Sequence, residues 1–77
     1  PYNAYIYHGD PMIFLDNEKC KITDFKKIDL IEDNQIKILL KNQNLKIDGS
    51  KLRLVYFSKE EILITGKFES IKLYDQN

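Results

Sequence analysis

The length, composition and charge of this 77-residue chain indicate one small domain over residues 1–77 and exclude several classes of function. Hydrophobic residues make up 43% of the chain, which is enough to form a folded core. Its 12 Lys and Arg residues are balanced by 12 Asp and Glu residues. This zero net charge argues against capture of nucleic acid or anionic lipid through bulk charge, and it favours association between copies.

The cysteine content and the apolar runs add two further exclusions. The single cysteine, Cys20, cannot form an internal disulfide or a multi-thiolate metal site, and it points to a reducing compartment. No apolar run approaches the roughly 20 residues that a membrane-spanning helix needs, so we expect no direct membrane insertion. Because the chain begins with Pro1 rather than Met, a native amino-terminal segment that precedes it stays an open alternative.

Alternation of apolar and polar residues predicts an all-β fold. Triplets in which two aliphatic residues flank a charged one recur along the chain, as in Ile36-Lys37-Ile38 and Leu45-Lys46-Ile47. Such alternation gives a strand one buried face and one solvated face. Short groups rich in Asn, Asp and Ser separate these segments and predict tight turns. The predicted strands lie near residues 3–8, 11–16, 20–31, 35–41, 44–49, 51–57, 60–66 and 68–74.

Short connections between these strands favour antiparallel neighbours, and therefore a small antiparallel sandwich or rolled sheet of seven or eight strands. A weak repeat of two strands joined at a corner occurs three times, with Gly49 and Gly66 at corresponding corners. Glycine permits a positive φ or a bulge at such a corner, although chance similarity between corners explains the repeat equally well. The alternative architecture, a short β-solenoid, is disfavoured because so short a stack would need capping ends.

Candidate catalytic residues are few. His8 is the only histidine, and covalent catalysis would need it to activate Cys20 or a serine. Cys20 shares the inward face of its predicted strand with Ile22, which favours a buried thiol. The serines lie in turns without a nucleophile elbow, and the glycines are too far apart for a phosphate-binding loop. The sequence therefore predicts no enzyme, no metal site and no cofactor.

The first strand contains a candidate partner-binding edge. Tyr2, Tyr5 and Tyr7 crowd this strand, and Tyr5 and Tyr7 share one of its faces. Two interpretations remain open, an edge strand that packs on its own domain and an edge that binds a partner.

Basic and aromatic residues alternate in a second candidate segment, 51–57. An oligonucleotide-binding barrel would use Arg53 there and would stack bases on Tyr56 or Phe57. The competing interpretation places Leu52, Leu54 and Tyr56 in the core and leaves Arg53 solvated. Because the net charge is zero and Arg53 is the only arginine, we favour this second interpretation.

A succession of short motifs runs from Leu15 to Tyr74. In chain order they are Leu15-Asp16-Asn17, Ile22-Thr23-x-Phe25, Lys27-x-x-x-Ile31, Ile36-x-Ile38, Leu45-x-Ile47-x-Gly49-x-x-Leu52 and Glu60-Glu61-Ile62-x-Ile64-x-Gly66-Lys67-x-x-x-Ile71. In this order they resemble the YabP/YqfC family of sporulation proteins of endospore-forming bacteria. The tyrosine-rich start and Asp10-Pro11 depart from the family pattern.

The resemblance implies a small non-enzymatic protein that is needed for spore formation. It implies synthesis in the mother cell, and action in its cytoplasm or peripherally at the forespore membrane. The expected partners are other proteins of the sporulation machinery, membrane-associated ones included, or further copies of the chain, and no nucleic acid. We therefore expect a scaffold or adaptor that works through protein contacts, with the oligonucleotide-binding barrel as the alternative.

Overall fold

The computed structural model describes residues 4–7 and 13–75, and these form a single antiparallel sheet. Its seven strands are β1 (Ala4–Tyr7), β2 (Ile13–Leu15), β3 (Lys19–Thr23), β4 (Phe25–Ile31), β5 (Gln35–Leu40), β6 (Gln43–Phe57) and β7 (Glu61–Asp75). They are ordered β1-β2-β3-β7-β6-β5-β4 across the sheet. The described residues contain no helix, and the predicted all-β class is confirmed.

Tight turns form where the sequence predicts them, and at two of them a short polar side chain binds the backbone. The Asp16 carboxylate accepts hydrogen bonds from the backbone N–H groups of Glu18 and Lys19, at 3.0 and 2.9 Å. These two bonds, Glu18 first, lower the pKa of Asp16. In the β6–β7 turn, the Ser58 hydroxyl accepts from the N–H groups of Glu60 and Glu61, at 3.1 and 3.3 Å. Side-chain bonds of this kind replace the ladder bonds that end at each turn.

Three predicted strand boundaries differ from the structure. The predicted strand 20–31 is interrupted at Asp24, which has a positive φ of 60° and separates β3 from β4. The predicted strands 44–49 and 51–57 are one strand, β6, and 60–66 and 68–74 are likewise one strand, β7. The pairing of β6 with β7 continues through register shifts, and such irregularities bend a strand without ending it.

The two long strands are sharply bent. A straight strand of 15 residues would be about 50 Å long, whereas the longest dimension of the molecule is 27 Å. β5 pairs with β6 only as far as Asp48, and β3 pairs with β7 only as far as Thr65. The bend therefore divides the sheet into two layers. Layer A comprises β4, β5, 43–49 of β6 and 68–75 of β7, and layer B comprises β1, β2, β3, 61–65 of β7 and 53–57 of β6.

One hydrophobic core joins the two layers. Layer A buries Ile36, Ile38, Leu40, Leu45 and Ile47, and layer B buries Ile13, Cys20, Ile22, Ile62 and Ile64, with Leu52 buried at the bend. Since all of these side chains form one cluster, the chain is a rolled sheet rather than a stacked solenoid. Burial of Cys20 and Ile22 agrees with the inward face predicted for their strand.

Both predicted corner glycines lie at the bend. A Cβ atom on Gly49 would collide with the carbonyl oxygen of Lys67, because β6 and β7 approach each other closely there. Gly66 has a φ of 140°, a conformation that residues with a side chain rarely adopt. The β4–β5 turn supports the bend, since Leu52 N–H donates to the carbonyl oxygen of Asp33 at 2.8 Å. The bend thus needs glycine for a steric reason at one position and a conformational reason at the other.

Candidate functional site

The alternation of buried and exposed residues fails near the end of β6. A register shift between Leu54 and Tyr56 places an extra residue, Val55, in the strand. A bulge of this kind rotates the residues that follow it out of the regular pleat. As a result Val55, Tyr56 and Phe57 are 55%, 48% and 56% exposed, although they are consecutive and apolar or aromatic. We call residues 55–57 the apolar edge.

The apolar edge belongs to a strand that is paired on one side. Tyr56 lies opposite Leu63 and Phe57 opposite Ile62, so β7 occupies one side of the segment 53–57. Within residues 4–7 and 13–75, no strand pairs with this segment on its other side. An edge strand offers free backbone donors and acceptors to a further strand, and exposed apolar side chains beside them favour such pairing. The apolar edge is therefore the best candidate for a protein-binding surface.

An aromatic contact orients one side chain of the apolar edge. The ring centroids of Phe57 and Phe25 are 6.0 Å apart, with an angle of 42° between the ring planes. Phe25 begins β4 and packs against the core, so it holds Phe57 from the side of layer A. An aromatic side chain that is ordered before binding loses less conformational entropy in an interface.

The structure brings together three residues that the sequence singled out. Arg53, Tyr56 and Phe57 lie on one strand and are all exposed. The interpretation that buried Tyr56 was wrong, because the bulge at Val55 turns that ring to solvent, whereas Leu52 is buried as expected. Sequence reasoning missed Val55, and its only signal was an extra apolar residue that interrupts the alternation before Tyr56.

The tyrosine strand lies at the opposite edge of layer B. Tyr5 and Tyr7 belong to β1, which pairs with β2 and ends the sheet order. Tyr2 lies outside the described residues. The partner-binding role suggested for this strand stays a prediction.

The structure places Cys20, a candidate nucleophile, in the hydrophobic core. Burial raises the pKa of the Cys20 thiol to about 12, so this side chain remains protonated and is a poor nucleophile. No group of three His, Cys, Asp or Glu side chains in this part of the chain could hold a metal ion. Of the serines, Ser70 uses its hydroxyl to donate a hydrogen bond to the Asp48 carboxylate at 3.2 Å. His8 lies outside the described residues.

Comparison with known proteins identifies the family of the chain. The model of the YabP family matches residues 9–77, a range that includes the apolar edge and the bend. The chain belongs to the YabP family. YabP-family membership implies a role in spore formation. No curated protein and no solved structure matches the chain. Within the described residues of this YabP-family protein, no helix is long and apolar enough to cross a membrane.

Proposed function

We propose that this YabP-family protein acts in spore formation as a small scaffold or adaptor that binds other proteins and catalyses no reaction. The observation that supports this proposal is the apolar edge, with three consecutive exposed side chains on a strand segment with which no other described strand pairs on its second side. Soluble proteins normally protect such an edge with charges, a proline or a covering loop, because it promotes association. An exposed edge of this kind is consistent with a surface that a partner covers, in the mother-cell cytoplasm or at the forespore membrane.

Addition of a strand is the binding mode that suits this edge. A segment of the partner would hydrogen-bond to the backbone of 53–57, while Val55 and Phe57 pack against its apolar side chains. A second copy of the chain meets the same requirement, because two identical edges can pair antiparallel about a two-fold axis. Zero net charge removes the long-range repulsion that would oppose such a pair. Self-association is therefore the simplest form of the proposed activity.

The first experiment tests self-association by sedimentation velocity over a range of protein concentrations. We expect the mean mass of the wild type to rise with concentration and that of Val55→Lys to stay monomeric, since an edge lysine opposes strand addition. Ile31→Lys is the matched control, because Ile31 is exposed but lies on β4 in layer A. A wild type that is monomeric at every concentration would show that copies of the chain do not pair.

The second experiment tests the role in the cell with the same two variants. We expect a strain that lacks the gene to form few heat-resistant spores, with rescue by the wild type and by Ile31→Lys but weaker rescue by Val55→Lys. Quantified pull-downs from sporulating cells should lose the same partners with Val55→Lys alone. Normal spores in the deletion strain, or full rescue and unchanged capture with Val55→Lys, would contradict the proposed function.

Binding of single-stranded nucleic acid by the same strand is a second candidate function. The exposure of Arg53, Tyr56 and Phe57 favours it, because bases can stack on exposed rings beside a cation. Titration with an oligothymidylate at low and moderate salt tests it through quenching of tyrosine fluorescence. Binding that Tyr56→Ser abolishes and Ile31→Lys preserves would support this function, and no binding at micromolar protein in low salt would exclude it.

A further inference from the structure

The solvent-facing side of layer A carries three lysines in one row across three neighbouring strands. Lys37 of β5 lies directly opposite Lys46 of β6, and Lys46 lies directly opposite Lys72 of β7. Alternation places all three away from the core, because the residues that flank them along each strand pack inward. Neighbouring strands are about 4.8 Å apart, so the row spans about 10 Å. We call these residues the lysine row.

Mutual repulsion within the lysine row opposes folding, and the ion pair between Lys46 and Asp48 offsets part of it. Like charges directly opposite each other destabilise a sheet. The Asp48 carboxylate lies 3.9 Å from the Lys46 ammonium and also accepts hydrogen bonds from Gln35 and Ser70, each at 3.2 Å. Lys27 and Asp29 lie beside Lys37 around an adjoining hollow, so four ammonium groups against two carboxylates leave a net charge of +2 on this surface. Features that reduce stability without serving the core are typical of binding sites.

An apolar and aromatic row adjoins the lysine row. Leu39, Asn44 and Tyr74 lie opposite one another on the same three strands and face the same side. Tyr74 is 41% exposed. A hollow of about 350 Å³ opens between these rows and β4, and its lining includes Lys37, Leu39 and Tyr74. The surface thus combines a positive row with an apolar hollow beside it.

We infer that the lysine row binds an acidic, extended segment of a partner protein. Carboxylates at alternate positions of an extended segment are about 7 Å apart and point to one side, so two of them fit the row of about 10 Å. An apolar or aromatic side chain of the same segment would pack in the hollow against Leu39 and Tyr74. This surface lies on layer A, whereas the apolar edge lies on layer B, so the two sites do not overlap.

The charge of the surface favours an acidic protein segment over nucleic acid. Proteins that hold a nucleic acid strand neutralise many phosphates along it, and a net charge of +2 over about 10 Å suits only two or three anionic groups. Asp48 at one end of the surface and Asp29 at the hollow would repel a continuous phosphate backbone. A short protein segment with two carboxylates can bind the row without placing either carboxylate beside Asp48 or Asp29.

The experiment measures binding of a fluorescein-labelled peptide of alternating Glu and Val residues with one Tyr, by fluorescence anisotropy. The test variant replaces Lys37, Lys46 and Lys72 with Gln. The control variant replaces three exposed lysines outside the row with Gln, namely Lys19, Lys59 and Lys67. Both variants have the same net charge. We expect wild type and control to bind the peptide, and the test variant to bind it about tenfold more weakly or worse. Since removal of the row relieves repulsion, thermal melting should show that the test variant is folded.

Four results would overturn the inference. The first is absence of peptide binding to the wild type, and the second is equal peptide affinity of the test and control variants. The third is equal wild-type affinity for a matched peptide with Gln in place of Glu. The fourth is an oligothymidylate that binds more tightly than the peptide and loses affinity in the test variant. The last result would assign the row to nucleic acid. Weakening of peptide binding between low and physiological salt would support the inference, because exposed charge pairs are screened. The lysine substitutions leave the apolar edge unchanged, so failure of the lysine row to bind the peptide leaves the proposed scaffold function standing.

Discussion

The two halves of β6 differ in exposure because they differ in what lies beside them. Residues 44–48 lie between β5 and β7, and their alternation is regular, with Leu45 and Ile47 buried and Lys46 outside. Residues 53–57 have β7 on one side, and Val55 is an extra residue. A bulge between two neighbours disrupts two ladders, whereas a bulge on an edge disrupts one. Pairing on both sides of a strand thus determines which of its faces is buried. Where no described strand pairs the second side, as in 53–57, an exposed apolar surface is possible.

Replacement of the glycine between the two halves should have the largest effect. In Gly49→Ala the new methyl group collides with the Lys67 carbonyl oxygen, and backbone cannot move aside as a flexible side chain can. We expect the free energy of unfolding to fall by at least about 3 kcal/mol, measured by urea unfolding with circular dichroism. The neighbouring control Ser50→Ala should lose less than about 1 kcal/mol. An unchanged midpoint for Gly49→Ala would mean that the bend does not require this close approach.

Truncation of one side chain in each half tests the comparison directly. Ile47→Ala removes a fully buried side chain and should cost about 2–5 kcal/mol of unfolding free energy. Val55→Ala removes methyl groups that are already exposed and should change it by less than about 0.5 kcal/mol. Urea unfolding of both variants at low protein concentration gives the two values. Similar costs would show that the apolar edge is part of the core and not a binding surface.

Neutralisation of one charge beside the first half, Lys37 of β5, and of one within the second half, Arg53, should have a smaller effect. Lys37→Gln removes repulsion with Lys46 across the strands, so we expect a gain of about 0.2–1 kcal/mol. The gain should shrink at high salt, where exposed charges are screened. Arg53→Gln is the matched control, because Arg53 lies opposite the uncharged Thr65 and should give no gain. Thermal melts at two salt concentrations measure both, and a loss of stability in Lys37→Gln would contradict the repulsive row.

Acid should reveal the smallest effect, at Asp48 in the regular half. The Gln35 amide, followed by Lys46 and Ser70, holds the pKa of Asp48 below its ordinary value of 3.8. Because the folded state lowers this pKa, Asp48 contributes stability above pH 3.8, and that contribution is lost as the pH falls through the lowered value. We expect Asp48→Asn to show a shallower loss of melting temperature below pH 3.8 than the wild type. Gln35→Leu should give an intermediate curve, and an Asp48→Asn curve parallel to the wild type would contradict the assignment.

Much of the fold could be predicted from the sequence because its signals are local. Alternation identified the all-β class and the inward positions of Cys20 and Ile22, and polar groups identified the turns. The continuity of β6 and β7 could not be predicted, because Gly49 and Gly66 look like strand ends in sequence. Whether a strand ends or bends at a glycine depends on whether its neighbour continues to pair with it.

The candidate sites were less predictable than the fold. The pattern of basic and aromatic residues drew attention to Arg53, Tyr56 and Phe57, yet the favoured interpretation buried Tyr56. The position of the bulge decided that exposure, and pairing with β7 sets the bulge. The lysine row gave no signal at all, because its members are far apart in sequence and only the strand register places them side by side.

The sequence by itself determined that this YabP-family protein is a β-sheet with short polar turns and a core of Ile and Leu. A period of two residues and the chemistry of turn residues are properties of adjacent positions, so no distant contact is needed to recognise them. Only the tertiary structure decided that the sheet is rolled, that residues 55–57 face solvent, and that three lysines meet in one row. Register, bends and edges depend on which strands are neighbours, and that choice depends on packing of the whole core.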